Sequence, residues 1–525
     1  MRRLCDRYPT LAFQARTALV VVGVVILERI TSRLLSLPPE SYQRPYLFVE
    51  VVRHLGAVRV VAAMAALGAM LRYGHLRSDW TSIGADGPIR AFVAVIALVV
   101  VWMASAYGYN YYAGQGHAVD RALAFLLLLL LWYRPVFIFP LLALACALIG
   151  QAAAPALGGT FLAHPLQLVH VLNAFAAALL VFGVTGVRST DSFVFVTLCV
   201  VAGSYFVSGL EKLRIGWLTY GHLDLMPLTA YAHGWLGFLE PSAIVTFATR
   251  LAWLDWPMRI GALGLELACL GLLWRRTLAM CLLAAAVAFH AGTFLLNGFL
   301  FWNWMLLDGA LVGVLSLHRL EVVRHIFSLR SLPLSMLLIA SADHWVGAPR
   351  LAWFDTPLAT VYSLEGIGAS GTRYTLPPTY FAPYQDIFTM SSFGYLTTEH
   401  RLLTRPYGVV FDRELADRLV RTRKQDEVFR LERLAGPAQP DPERTARLTD
   451  FIRRFVGNRE RLGDPSWLGT LFRPPRLYWS FDRGNVYARQ EAIESVDVVE
   501  ETWFFDGDRL ERIRQIDVIR VAIAD

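Results

Sequence analysis

Residues 192–213 read SFVFVTLCVVAGSYFVSGLEKL, an apolar run that carries no charge until Glu211 and Lys212 near its end. About 20 apolar residues are enough to cross the hydrocarbon core of a bilayer as a helix, in which the backbone polar groups bond within the segment. Similar runs recur between residues 13 and 317. The sequence therefore predicts an all-α polytopic membrane helix bundle.

Ten apolar runs are candidates for crossing the membrane, and we expect about eight to ten spans. The candidates are residues 13–35, 54–71, 89–107, 121–150, 166–185, 192–213, 242–254, 258–274, 278–296 and 298–317. Pro135 and Pro140 are expected to divide residues 121–150 into two short helices, because proline lacks the N–H that continues a helix.

The composition also indicates a membrane protein with two regions. Of 525 residues, 55% are hydrophobic and 17% are charged, with a mean hydropathy of +0.44, whereas soluble domains carry about 25% charged residues. Residues 1–340 hold 24 Lys and Arg against 15 Asp and Glu, and residues 341–525 hold 25 against 27. We predict a transmembrane helical bundle over 1–340 and a small soluble C-terminal α+β domain over 341–525.

The C-terminal region changes its periodicity along its length. Residues 413–434 and 443–462 have the pattern of polar amphipathic helices, separated by a proline-rich linker over 436–442. Residues 475–525 have the pattern of short strands, with a turn at 506–508. The predicted strands are residues 477–481, 496–499, 503–505 and 513–523.

The distribution of charged residues predicts where the protein is located and excludes nucleic acid as a partner. Arginines cluster after several of the spans, at Arg275, Arg276, Arg319, Arg324 and Arg330. The positive-inside rule places these turns in the cytoplasm, and with them the C-terminal region of a protein of the bacterial cytoplasmic (inner) membrane. The net charge of +7 is not gathered into a basic face, so the expected partner is the lipid bilayer and no nucleic acid.

Lys212 is one of only two lysines in the chain, the other being Lys424. An amine removed from water loses its proton more readily and can act as a general base, a role that arginine cannot take. The alternative is that Lys212 extends to the lipid headgroups, as cationic side chains near helix ends commonly do. Glu266 lies in the middle of an apolar run and is expected to be protonated or paired with a cation.

His290 also lies deep in an apolar run, followed by Ala291 and Gly292. It is either a satisfied core residue or a neutral imidazole that lines a polar cavity, which Asn303 and Asp308 could extend. No H-x-x-x-H or E-x-x-H pair occurs in the sequence, so no metal is expected. Motifs of hydrolases and nucleotide-driven proteins are also missing.

Several of these features occur together in one known family. Residues 205–217 read YFVSGLEKLRIGW and are followed by Glu266, then the basic turn at Arg275 and Arg276, and then His290 after a phenylalanine. This order resembles the transmembrane domain of vitamin K-dependent gamma-carboxylases and of the bacterial horizontally transferred transmembrane domain (HTTM) proteins. The resemblance covers roughly residues 10–330.

The resemblance implies a reduced naphthoquinone bound in the membrane and a lyase that carboxylates a protein or peptide substrate. In that chemistry a lysine deprotonates the hydroquinone, oxygen converts it to a stronger base, and carbon dioxide replaces a glutamate γ-proton. Lys212 matches the family lysine, whereas Glu211 stands where the family has a second lysine. The C-terminal region resembles no protein family that we can name.

Two hypotheses follow. The first is a quinol-dependent membrane enzyme with Lys212, His290 and Glu266 as catalytic residues, and with His117, Asn303 and Trp217 as residues that bind the cofactor. The second is a non-catalytic accessory or scaffold protein, whose bundle presents the C-terminal domain to a partner. An internal cavity shared by the three catalytic candidates would favour the first hypothesis.

Overall fold

A computed structural model describes the chain over residues 9–73, 79–106, 110–158, 163–317, 324–399, 401–438, 440–463, 471–482 and 484–523. These residues are mostly helical, with small antiparallel sheets confined to the C-terminal region. The predicted combination of a helical membrane part and a C-terminal part with strands is confirmed at this level. The division at residues 340 and 341 remains a prediction.

The helices of the first 317 residues follow one another with short connections. They are α1 (Pro9–Leu35), α2 (Leu47–Leu55), α3 (Ala57–Tyr73), α4 (Gly87–Ser105), α5 (Ala118–Tyr133), α6 (Ile138–Gly150), α7 (Ala163–Thr185), α8 (Thr190–Ile215), α9 (Met226–Ala232), α10 (Pro241–Leu251), α11 (Asp255–Ala268), α12 (Arg276–Asn297) and α13 (Trp302–Leu317). Single helical turns at Trp80–Ile83, Asn110–Ala113 and Trp217–Tyr220 lie between them.

Six helical segments in the described ranges are long and apolar enough to cross a membrane, which is the pattern of a multi-pass membrane protein. They are α1, α4, residues Pro165–Thr185 of α7, α8, the segment Pro241–Trp274 and α12. Three shorter apolar helices, Ala57–Gly68, Pro135–Gly150 and Trp302–Leu317, accompany them. The expected count of eight to ten spans remains a prediction.

Helix α8 is the central helix of this bundle. In its most apolar window 94% of the residues are buried inside the protein, against 22% for α12. No proline interrupts it, and it ends before Gly216, whose φ of +78° lies in the left-handed region that glycine adopts readily. The helix is enclosed by protein as far as Gly209, whereas Leu213 and Arg214 in its last turn are exposed.

The predicted boundaries agree with the observed ones only in part. The break at Pro135 is confirmed, since α5 ends at Tyr133 and a 3₁₀ turn begins at Pro135, whereas the break at Pro140 is wrong, since Pro140 lies in the first turn of α6. The predicted spans 242–254 and 258–274 lie in one helical segment, because the connection Ala252–Leu254 is itself a 3₁₀ turn. Helix α13 starts later than predicted, since the backbone before it is extended and Leu300 N–H donates to Leu477 O (2.7 Å).

The C-terminal region is built on a four-stranded antiparallel sheet. Helix α14 (Leu332–Ala340) still belongs to the bundle, since Leu338 and Ile339 lie in its core. The helices and strands after it are β1 (Phe354–Asp355), β2 (Leu358–Gly368), β3 (Arg373–Leu376), β4 (Val409–Val410), α15 (Arg413–Arg421), α16 (Gln425–Ala435), α17 (Pro442–Leu462), β5 (Ile493–Phe505) and β6 (Leu510–Ala522). Single helical turns lie at Ala342–Trp345 and Gln385–Thr389. The sheet order is β3-β2-β5-β6, and β1 pairs separately with β4.

The sequence predicted the last helix of this region well and its strands only in part. Residues 443–462 form α17, whereas the predicted helix 413–434 is interrupted between α15 and α16. The predicted strands 496–499 and 503–505 are one strand, β5. The predicted strand 477–481 is wrong, since within it Tyr478 makes a single antiparallel bridge to Phe299. The central strand β2 was not predicted.

The C-terminal region packs against the end of the bundle at which α8 finishes. Trp217, which follows α8, shares one buried cluster with Phe354 of β1 and Val410 of β4. Ser208 Oγ of α8 donates to Pro349 O (2.9 Å). The C-terminal region therefore covers the Lys212 end of the membrane bundle.

Asp386 links the stability of the C-terminal region to pH. Burial raises the pKa of its carboxyl group from 3.8 to about 7, although the N–H of Tyr478 donates to it (3.1 Å). Between these values the folded protein holds a proton that the unfolded chain releases, so stability falls as pH rises. Asp386→Asn keeps an acceptor for Tyr478 but cannot titrate. Between about pH 5 and 8, we expect the free energy of unfolding to fall by on the order of 2 kcal/mol less in this variant than in the wild type. Denaturant unfolding at several pH values measures this, and an unchanged slope would contradict it.

Candidate functional site

Lys212 and Glu266 form an ion pair between α8 and α11. Lys212 Nζ donates to Glu266 Oε1, and the two side chains are 14% and 4% exposed. The side chain of Lys212 therefore points towards α11. Of the two states expected for Glu266, the structure shows the one paired with a cation.

The backbone of α8 is shaped to bring this pair together. Gly209 lies one turn before Lys212, and a Cβ at Gly209 would be 2.7 Å from the Cβ of Glu266. No other residue type fits at this distance. Lys212 Nζ also lies 5.3 Å from the centroid of the Trp217 ring, within the range of a cation–π contact.

Tyr205 connects His290 with Asp308 deeper in the bundle. Its hydroxyl group lies 2.8 Å from His290 Nε2 and donates to Asp308 Oδ2 at 2.6 Å. Tyr205 precedes Lys212 by seven residues, which is about 10 Å of helix on the same face. The two groups of side chains therefore follow one another along one face of α8.

Two atoms of this site are buried and have no hydrogen-bond partner in the part of the chain that the structure describes. They are Glu266 Oε2 and His290 Nδ1, and their residues are only 3% and 5% exposed. Leaving a buried polar atom unpaired costs about 1–3 kcal/mol. A bound molecule with a matching polar group would recover this cost.

Aromatic rings enclose the imidazole of His290. The ring centroids of Phe301, Trp304 and Phe289 lie 5.0, 5.6 and 5.4 Å from it. Asn303 is fully buried beside them, and its Oδ1 accepts the N–H of Trp304 (3.0 Å). The surroundings are therefore apolar and suit a ring-shaped, lipid-soluble molecule.

There is open space beside two glycines of the helices that carry His290 and Asp308. A Cβ placed at Gly292 of α12, or at Gly309 of α13, would meet nothing within 4 Å. A cavity of about 280 Å³ lies beside the C-terminal end of α8 and is lined by Leu210, Glu211 and Arg214, among others. Lys212, Glu266 and His290 do not line this cavity, so it is not the shared cavity that would favour the enzyme hypothesis.

His117 lies in a different network from the other candidates. Its Nδ1 lies 3.2 Å from Asp120 Oδ2, and its Nε2 lies 3.0 Å from the carbonyl oxygen of Tyr42. Asp120 in turn accepts the backbone N–H groups of Leu47 and Phe48. These bonds fasten the segment before α2 to the start of α5, which is a structural role.

One group in the described ranges has metal-ligand chemistry, although the sequence predicted no metal. The ligand atoms of His222, Asp224 and Asp255 lie within 4.8 Å of one another. Asp255 already accepts the N–H of Leu223 (2.7 Å) and pairs with Arg259 (2.7 Å). Because Arg259 supplies the positive charge there, we interpret the group as an ion-pair cluster at the start of α11.

Of the six predicted site residues, five lie on the elements that form this site. Lys212, Glu266 and Trp217 form one group, His290 belongs to the group around Tyr205, and Asn303 precedes Trp304 of that group in α13. Sequence reasoning did not assign a role to Tyr205, although its spacing from Lys212 places it on the same face of the helix. Together these side chains provide a base, its acidic partner and polar atoms free to bind a ligand.

Comparison with models of protein families, with curated proteins and with solved structures gave no match to this chain.

Proposed function

We propose that this chain is a gamma-carboxylase-like enzyme of the bacterial cytoplasmic membrane, which binds an apolar ring with a weakly acidic hydroxyl group. In this proposal Lys212 accepts the proton of that hydroxyl group. The observation that carries the proposal is the buried ion pair of Lys212 and Glu266, beside an acceptor atom that has no partner. Ionisable residues within a membrane are costly and are kept mainly where they serve a function.

A reduced naphthoquinone fits the residues present. Its hydroxyl group could donate to Glu266 Oε2 or to His290 Nδ1, the two unpartnered atoms. Phe301 and Trp304 would pack against its ring. When bound, this cofactor supplies the acidic hydroxyl group and the oxygen-reactive ring.

The pair of Lys212 and Glu266 explains how a lysine in an ion pair can still act as a base. Transfer of one proton from Nζ to Oε1 leaves a neutral amine and a neutral acid, which removes two charges from the apolar interior. The amine lone pair can then accept a proton from a hydroxyl group beside it. Glu266 keeps the first proton, and the Lys212 ammonium group stabilises the new anion.

The proposal is tested by anaerobic titration of the purified protein with 1,4-naphthohydroquinone near neutral pH. Quenching of tryptophan fluorescence measures binding, and the ultraviolet absorption of the hydroquinone anion measures proton transfer. We expect the wild-type protein to show both signals. Lys212→Arg keeps the charge but cannot release its proton, so we expect binding with at least about 10-fold less anion.

The matched control is Lys424→Arg, which changes the exposed second lysine and should behave as the wild type. An anion signal in Lys212→Arg equal to that of the wild type would exclude Lys212 as the base. Failure of the wild-type protein to bind the hydroquinone would overturn the proposal and favour the scaffold hypothesis.

A further inference from the structure

The hydroxyl group of Tyr205 has one proton but two neighbours. It donates to Asp308 Oδ2 (2.6 Å), and its oxygen lies 2.8 Å from His290 Nε2. With Asp308 ionised, the single proton is used on Asp308, and the bond to His290 then requires an N–H on Nε2. Asp308 therefore determines which nitrogen of the imidazole carries the proton. It acts on His290 through the hydroxyl group of Tyr205.

The other nitrogen of His290 then has a lone pair. Nδ1 is buried, and no described residue bonds to it. A proton on both nitrogens would leave a charged N–H without an acceptor in an apolar enclosure, which is strongly unfavourable. The neutral imidazole with Nδ1 as an acceptor is the state that these bonds satisfy.

We infer that Asp308 is a positioning residue, which acts through Tyr205 to hold His290 Nδ1 as an acceptor for a ligand hydroxyl group. The inference rests on the proposed function, since it concerns the same ligand. Glu266 Oε2 is a second acceptor without a partner. The site is thus built to receive a hydroxyl donor in preference to an ether or carbonyl group of similar shape.

Two naphthalenes that differ only in the donor test this inference. 1-Naphthol carries a hydroxyl group, and 1-methoxynaphthalene has the same ring and oxygen without the proton. Tryptophan quenching gives a Kd for each with the full-length protein. We expect the wild type to bind 1-naphthol at least about 10-fold more tightly, as one to two neutral hydrogen bonds allow.

Asp308→Asn frees the Tyr205 proton, because an amide can either accept from Tyr205 or donate to it. Tyr205→Phe keeps the ring and removes the connection. We expect each change to lower the preference for 1-naphthol by about fivefold, with the remainder due to Glu266. The double variant should equal Tyr205→Phe alone, since Asp308 acts only through Tyr205.

Binding of 1-methoxynaphthalene shows in every variant whether the ring site is still folded. Thr293→Val is the matched control, since this α12 hydroxyl group donates to the backbone oxygen of Phe289 (3.0 Å) and should leave the preference unchanged. If Asp308→Asn or Tyr205→Phe binds both naphthalenes with the wild-type preference, the inference is overturned and the proposed function stands. If the wild type binds neither compound, the proposed function itself fails.

Discussion

Glu266→Ala is expected to lower the free energy of unfolding by about 3–5 kcal/mol, the cost of removing one partner from a buried ion pair. The ammonium group of Lys212 would lose its acceptor while its side chain stays 14% exposed. Unfolding of the purified protein in mixed micelles with increasing denaturing detergent measures the change.

Glu211→Gln is the matched control, because it removes the neighbouring carboxylate. Glu211 pairs with Arg214 at 3.2 Å where the side chains are 27% and 58% exposed. Exposed ion pairs contribute about 0–1 kcal/mol. A loss of stability in Glu211→Gln equal to that in Glu266→Ala would show that Lys212 depends on the adjacent carboxylate and that the interhelical pair is not formed.

Gly209→Val is expected to separate α8 from α11 and to abolish proton transfer at the site. A Cβ at this position would lie 2.7 Å from Glu266 Cβ and 3.3 Å from the backbone carbon of Glu266. Neither contact can be relieved by rotating a flexible side chain, so one helix must move. We expect a stability loss of about 1–3 kcal/mol and at least a 10-fold decrease in hydroquinone anion.

Gly264→Val is the matched control on α11. A Cβ at Gly264 would meet nothing within 4 Å, so the added methyl groups should extend into lipid without moving a helix. Detergent unfolding and the anion absorption of both variants compare the two positions. A wild-type anion signal in Gly209→Val would mean that the close approach of Glu266 to α8 is not needed for proton transfer.

The sequence allowed the membrane helices to be predicted because their signal is local. An uninterrupted apolar run such as 192–213 satisfies its own backbone and requires no knowledge of its neighbours. The strands of the C-terminal region depend on partners far away in the chain. Strand β2 is stabilised by β5, more than 100 residues later, and its alternating pattern was overlooked.

The residues of the candidate site could be predicted from the sequence, but the contacts between them could not. Lys212, Glu266 and His290 stand out because ionisable or polar residues are rare in apolar runs. Which of them meet depends on the packing of the helices. The sequence left Glu266 either protonated or paired, and the structure pairs it with Lys212. Tyr205 was missed because a tyrosine in an apolar run does not indicate a function until its two partners are known.

The pairing of α8 with α11 has a consequence for biogenesis. Lys212 and Glu266 are 54 residues apart, so α8 emerges from the ribosome and reaches the bilayer well before α11. A helix with a carboxylate in its apolar part partitions poorly into lipid by itself. Lys212 is inserted first, and its ion pair with Glu266 makes the insertion of the later helix favourable. Substitution of this lysine would therefore act during synthesis. It would leave incompletely inserted chains, which cellular proteases degrade.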